Sequence, residues 1–212
     1  MHQRMPLILG AVLLANVCGP AFRPSKNIEA EYDSRTGRLN LLRYASKADG
    51  KVDTWSYMDG AHIRRIEIDK DGDGKIDRWE YYDSEGKLEK VGFSRVNDGR
   101  LDGWAYPAPD GSIARIDTIG PAGNVTRSER YENRSLVQAE EDVDGDGKTD
   151  RWETYDGDRL AMLALDTRRA GRPDRRIVYG ADGNVRIEVD PRGTGDFMMP
   201  DERRAKPRQK RP

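Results

Sequence analysis

The chain repeats itself every twenty-four residues, and no other feature limits its fold as strongly. Asp49-Gly-Lys-Val-Asp-Thr-Trp-Ser-Tyr57, Asp73-Gly-Lys-Ile-Asp-Arg-Trp-Glu-Tyr81, Asp98-Gly-Arg-Leu-Asp-Gly-Trp-Ala-Tyr106 and Asp146-Gly-Lys-Thr-Asp-Arg-Trp-Glu-Thr154 share one pattern. Degenerate copies at Gly123 and Gly171 fill the gaps, giving spacings of 24, 25, 24, 24 and 24 from Gly50 onward. A second turn follows each copy, at Asp59-Gly60, Asp83 to Gly86, Asp110-Gly111, Asp156-Gly157 and Asp182-Gly183. Asp-Gly between alternating segments marks a hairpin, because the tight turn requires positive φ. Each unit is therefore strand, turn, strand, turn. Within a strand, Asp77, Trp79 and Tyr81 fall on one face and Ile76, Arg78, Glu80 and Tyr82 on the other. The expected fold is all-β, an elongated antiparallel meander of about seven hairpin units over residues 26–191. Trp55, Trp79 and Trp104 occupy equivalent positions, predicting a ladder of aromatics that packs across the sheet.

Such a chain needs help to order itself. Leu, Ile, Val and Phe make up only 18% of the 212 residues, while 35% are charged, which excludes a large apolar core. Aromatic side chains bury large areas each and partly compensate. The formal net charge of -1 conceals an uneven distribution. Six basic residues from Arg203 to Arg211 crowd the end of a segment, 192–212, read as a basic disordered tail. Without them and Arg4 the body carries about -8, which does not suit a nucleic-acid groove.

The first seventeen residues read as an export signal, with Arg4 ahead of the apolar run Leu7–Val17, too short to span a bilayer. Cys18, the only cysteine, ends that run. Ala15-Asn16-Val17-Cys18-Gly19 resembles a bacterial lipoprotein signal, which implies acylation of Cys18, a linker over 18–25 and attachment to the cell envelope. Cleavage after Gly19 or Ala21 would instead release a secreted protein. In either case no cysteine remains to form a disulfide or a thiolate metal site.

Two units carry metal-loop chemistry. Asp69-Lys-Asp71-Gly-Asp73-Gly-Lys75-Ile-Asp77 and Asp142-Val-Asp144-Gly-Asp146-Gly-Lys148-Thr-Asp150 both read D-x-D-x-D-G-x-x-D. Alternate carboxylates in a tight loop converge on one point and suit a hard cation such as Ca2+. Glu80 and Glu153 stand at the twelfth position of each segment, with Lys75 and Lys148 supplying a backbone carbonyl, so both formally resemble EF-hand loops. An EF-hand needs flanking helices, which Gly60, Gly86 and the period-two alternation oppose. The preferred reading is a calcium loop between strands, similar to the Asp-rich loops of integrin-like repeats. Asp69, Asp71, Asp73 and Asp77 are then the principal ligands, and Glu80 faces away. Two independent sites, on the order of 29 Å apart and with affinities of about 0.1 to 1 mM, are expected.

The segment Asp98-Gly-Arg-Leu-Asp-Gly-Trp-Ala-Tyr106 with Asp110-Gly-Ser-Ile113 resembles a MORN-type repeat. The resemblance implies a single-layer hairpin meander that contacts proteins or membranes and carries no chemistry of its own. His2 and His62 are the only histidines, which leaves no Cys-His or Ser-His pair in the mature body. The expected function is thus a non-catalytic, calcium-binding, lipid-anchored interaction module, its partner an envelope or secreted protein and not nucleic acid. An inhibitor or immunity-type protein and a true EF-hand sensor or buffer are the alternatives.

Overall fold

A computed structural model describes residues 27–200; the residues read as an export signal, Cys18 and the run of basic residues from Arg203 lie outside them. Fourteen strands form one sheet in chain order, each antiparallel to the next: β1 (Ile28–Tyr32), β2 (Leu39–Tyr44), β3 (Thr54–Asp59), β4 (His62–Ile68), β5 (Arg78–Tyr82), β6 (Leu88–Phe93), β7 (Gly103–Pro107), β8 (Ile113–Ile119), β9 (Val125–Glu132), β10 (Ser135–Glu141), β11 (Arg151–Asp156), β12 (Arg159–Leu165), β13 (Arg175–Tyr179) and β14 (Val185–Val189). This is the expected hairpin meander, and no α-helix occurs among the described residues. The Asp-rich loops lie between β4 and β5 and between β10 and β11, so strands flank both and the EF-hand alternative lacks its helices.

The two kinds of turn fall on opposite sides of the sheet. Odd-to-even connections are short, and most carry a register shift beside an aromatic or a proline, as at Tyr57/Met58, Tyr81/Tyr82 and Tyr106/Pro107. Even-to-odd connections are nine-residue loops at 45–53, 69–77, 94–102, 142–150 and 166–174. Consecutive loops pair through their ends, Asp69 N to Asp53 O at 2.9 Å, Ser94 N to Asp77 O at 2.8 Å and Asp166 N to Asp150 O at 2.8 Å, adding one more rung to the ladder. At β8–β9 the sequence Gly120-Pro-Ala-Gly-Asn124 makes a short turn instead. The loop row is thereby divided in two. A further loop follows β14 and extends the pattern past residue 191, returning so that Met198 pairs with Val189 in both directions.

The tryptophans do not form a continuous ladder. They stand on β3, β5, β7 and β11, and the facing positions between them are Glu67, Gly92, and then Asp117, Ser128 and Glu140. Gly92 is required by this arrangement, since a Cβ there would meet Trp104 at 2.9 Å and Leu101 at 2.8 Å. The neighbouring row of the same face alternates aromatic and cationic side chains. Arg65 lies 4.2 Å from the Tyr57 ring centre, Lys90 4.4 Å from Trp104 and Arg115 3.9 Å from Tyr106, so cation–π contact replaces aliphatic packing.

Among the described residues the buried apolar side chains are Leu41, Ala45, Val91, Ala139, Ala164 and Val189, whereas the buried polar ones include Asp53, Asp69, Asp77, Asp102, Asp166, Asp174, Asp190 and Glu153. Carboxylates, not aliphatics, fill the loop side of this sheet. A buried charge is tolerated only when it is paired or hydrogen-bonded, and the partners of each define the site.

Candidate metal centre

All five nine-residue loops close on an aspartate at the ninth position, and those at 69–77, 142–150 and 166–174 also begin with one. The first accepts amides from the loop's own apex: Gly72 N and Gly74 N reach Asp69 Oδ1 and Oδ2 at 2.6 and 2.8 Å, and Gly145 N and Gly147 N reach Asp142 at 2.7 and 2.9 Å. The ninth-position aspartate accepts the second residue's amide, Lys70 N to Asp77 Oδ2 and Val143 N to Asp150 Oδ2, both at 2.9 Å. Apex glycines make this possible, with Gly74 at φ +91° and Gly147 at +87°, where a side chain would be strained.

The same frame recurs where the metal pattern is absent. Asp166 accepts Gly171 N at 2.6 Å and Arg168 N at 3.1 Å, and Asp190 accepts Gly193 N and Gly195 N at 2.7 and 2.6 Å. Amides therefore shape these loops. The two acidic clusters differ from this frame by a carboxylate added at the third position, Asp71 and Asp144.

The closing aspartates differ in how their second oxygen is satisfied. Asp53 takes the Ser46 hydroxyl at 2.5 Å and the Thr54 hydroxyl at 3.0 Å. Asp102 takes Arg100 Nε at 3.2 Å, and Asp174 takes the Thr167 hydroxyl at 2.9 Å and Arg168 Nε at 2.5 Å. Burial pushes the Asp174 carboxyl up, but the Thr167 bonds and the Arg168 guanidinium outweigh it and hold the group below the usual carboxylate range. Asp77 is fully buried and its Oδ1 has no partner. Oxygens of Asp69, Asp71 and Asp77 lie within 4.8 Å of one another, a group able to hold a metal ion. Asp73 is turned away to Lys75 Nζ, 3.2 Å distant, and is not brought into the group.

The second loop gathers a different set. Asp142, Asp144 and Asp146 offer oxygens within 4.8 Å of one another. Asp150 instead bonds the Val143 and Asp144 amides at 2.9 and 3.3 Å. Arg169 of the next loop reaches Asp144 Oδ2 at 3.3 Å, and Lys148 reaches Asp146 at 3.6 Å. This site is open on the side where the β8–β9 turn is short, and protein cations already face two of its carboxylates.

Glu80 and Glu153 belong to neither group. Both point to the opposite face, where Glu80 accepts Arg78 Nε and the Tyr82 hydroxyl at 2.6 Å each. Glu153 accepts Arg127 and the Tyr155 hydroxyl at 2.8 Å and Arg151 at 2.5 Å. Glu129 repeats the arrangement with Arg127 at 2.8 Å and Tyr131 at 2.9 Å, yet no Asp-rich loop precedes β9. Their twelfth-position spacing is thus a by-product of a strand motif, Arg-x-Glu-x-Tyr, which the loop pattern obscured. Burial raises each glutamate, but Tyr and Arg bonds prevail and hold Glu80 and Glu153 low. Burial and the adjacent carboxylate push Tyr82 and Tyr131 up to about 12.

No family model and no curated protein matches the chain. Among solved structures, S. aureus TarM matches over 55% of this chain at 15% identity and TM-score 0.28. The GtfA/B complex bound to UDP and GlcNAc matches over 68% at 12% identity and TM-score 0.33. Accessory secretory proteins 1, 2 and 3 of Streptococcus pneumoniae match over 57% at 12% identity and TM-score 0.29. The chain spans between 20% and 26% of those chains' lengths.

Proposed function

We propose that this chain is an extracytoplasmic calcium-binding β-repeat module that acts by contact with a protein partner, with its principal cation held by Asp69, Asp71 and Asp77. The observation that carries the reading is the Asp77 Oδ1 atom, buried without a hydrogen-bond partner beside two further carboxylates. A buried, unpaired carboxylate oxygen costs free energy that a bound cation would recover. The all-oxygen donor set suits calcium, which takes six to eight oxygens; backbone carbonyls of the loop and water would complete the shell. The 142–150 loop is the weaker site, because Arg169 and Lys148 compete for its carboxylates. Cys18 is the proposed point of lipid attachment to the envelope, and an envelope or secreted protein the proposed partner.

Calorimetric titration with calcium tests the reading. One tighter and one weaker site are expected, and Asp77→Asn should remove the tighter while leaving the weaker within about twofold. Absence of calcium heat, or equal loss at both loops from this one substitution, would overturn it.

A further inference from the structure

Among the described residues the sheet ends in two strands, β1 and β14, whose outer edges are largely unpaired. All five residues of β1 are exposed, Ile28 at 47% and Tyr32 at 60%; on β14, Val185 and Ile187 are exposed at 57% and 47%. Neither strand contains the proline or lysine that commonly guards an edge. Asn27 O accepts from Ala45 N, so backbone groups alternate along β1 and those of Ile28 and Ala30 point outward. On β14, Val189 bonds outward to Met198, which places the groups of Ile187 and Val185 outward too. Met198 occupies the edge at Val189 and leaves the stretch from Val185 to Ile187 open.

Charge selects among the possible pairings. Two β1 strands set antiparallel would place Glu29 opposite Glu29 or Glu31. Two β14 strands, kept clear of Met198, would place Arg186 opposite Arg186. Like charges directly opposite are destabilising. Joining β1 to β14 instead places Glu29 opposite Arg186, with Ile28 facing Ile187 and Ala30 facing Val185. Among the described residues no side chain engages Glu29, whereas Arg186 stands 3.8 Å from a Glu188 that Arg176 already binds. The apolar residues also match by face. Ala30 pairs with Leu42 and Ile187 with Ile177, and these lie on the side that carries Ile66 and Val91. An odd strand added to an even one is antiparallel, which repeats the step already made thirteen times within the chain.

We infer that a second copy of this chain adds its β1 to the free edge of β14, and that the head-to-tail contact propagates an open row of copies. The two surfaces differ, so the contact does not close on itself by two-fold symmetry. The inference does not depend on calcium.

Cross-linking of the processed chain carrying Cys18→Ser tests it. Glu29 and Arg186 would form a pair with Cα atoms about 4.5 Å apart, within disulfide range. Glu29→Cys mixed with Arg186→Cys should give a covalent dimer on oxidation, at least fivefold more than either variant alone. Equal yields, or a predominance of self-linked Glu29→Cys or Arg186→Cys, would overturn the inference. In sedimentation velocity the unlinked chain should show species larger than a monomer that increase between about 1 and 200 μM. Glu29→Lys and Arg186→Glu should each shift it towards monomer, and mixing the two variants should restore association. A monomer throughout that range would overturn the proposal, since these surface substitutions leave the interior untouched.

Discussion

Asp77 and Asp174 occupy the same place in their loops and differ in what faces them. Arg168 satisfies Asp174 at 2.5 Å, whereas Asp77 Oδ1 has no partner. Removing the charge should therefore act in opposite directions. Without calcium, Asp77→Asn should leave the midpoint of thermal unfolding unchanged or slightly raised, while Asp174→Asn should lower it by the equivalent of about 1 kcal/mol, because the buried carboxylate gives up charge-assisted bonds to the Thr167 hydroxyl and Arg168. Thermal melts in chelator measure both. The glutamates of the opposite face bear on pH. Glu153 is held below its ordinary 4.5 in the folded state, so its contribution is present at and above that value. It is lost as pH falls through the lower folded value, because the unfolded chain takes up the proton first. Glu153→Gln should thus lower stability at pH 7 and flatten its fall below about pH 4.5, as read by urea unfolding at several pH values. The Arg-x-Glu-x-Tyr triads were visible as residues in sequence at 78–82, 127–131 and 151–155. Their role was not, because a glutamate twelve residues after the first aspartate also fits a metal loop, and only side-chain direction separates the two.

The loop is the element in which sequence and structure agree most closely. Asp-Gly placed the turns it marks, since glycine takes positive φ at no steric cost, but it gave no signal for the β9–β10 turn, where Asn133 and Arg134 take φ of +50° and +68°. What spacing alone did not reveal is that the first and ninth aspartates are structural, holding amides in loops with and without the metal pattern. Asp166→Ala should accordingly destabilise by about 1–3 kcal/mol, although 166–174 lacks the acidic third and fifth positions. Gly74→Ala, at φ +91°, should cost about 1–2 kcal/mol and weaken the principal site. Chemical denaturation of each variant in chelator checks both values. Were the Asp166 variant as stable as the parent, the amide frame would not be what shapes these loops.

As a whole, the molecule is a one-dimensional array whose units touch only their neighbours, so opening should begin at the ends. Hydrogen exchange on dilute protein should find β1 and β14 least protected and β5 to β12 most. Calcium at 1 mM acting on a site of 0.1 mM affinity should add about 1.4 kcal/mol, with the gain in protection centred on β4 and β5. Uniform protection from calcium across all fourteen strands would contradict an array of local units. Sequence by itself determined the period, the strand and turn order and the single antiparallel meander, because these follow from local φ preferences and side-chain alternation repeated at a fixed spacing. Tertiary structure alone decided which carboxylates meet. Asp73 turns to Lys75, Arg169 crosses from the next loop to Asp144, and Gly92 and Glu67 separate tryptophans that the repeat had aligned. The first depends on a side-chain direction that spacing does not encode, and the others on neighbours in the next unit or across strands whose register no single repeat contains.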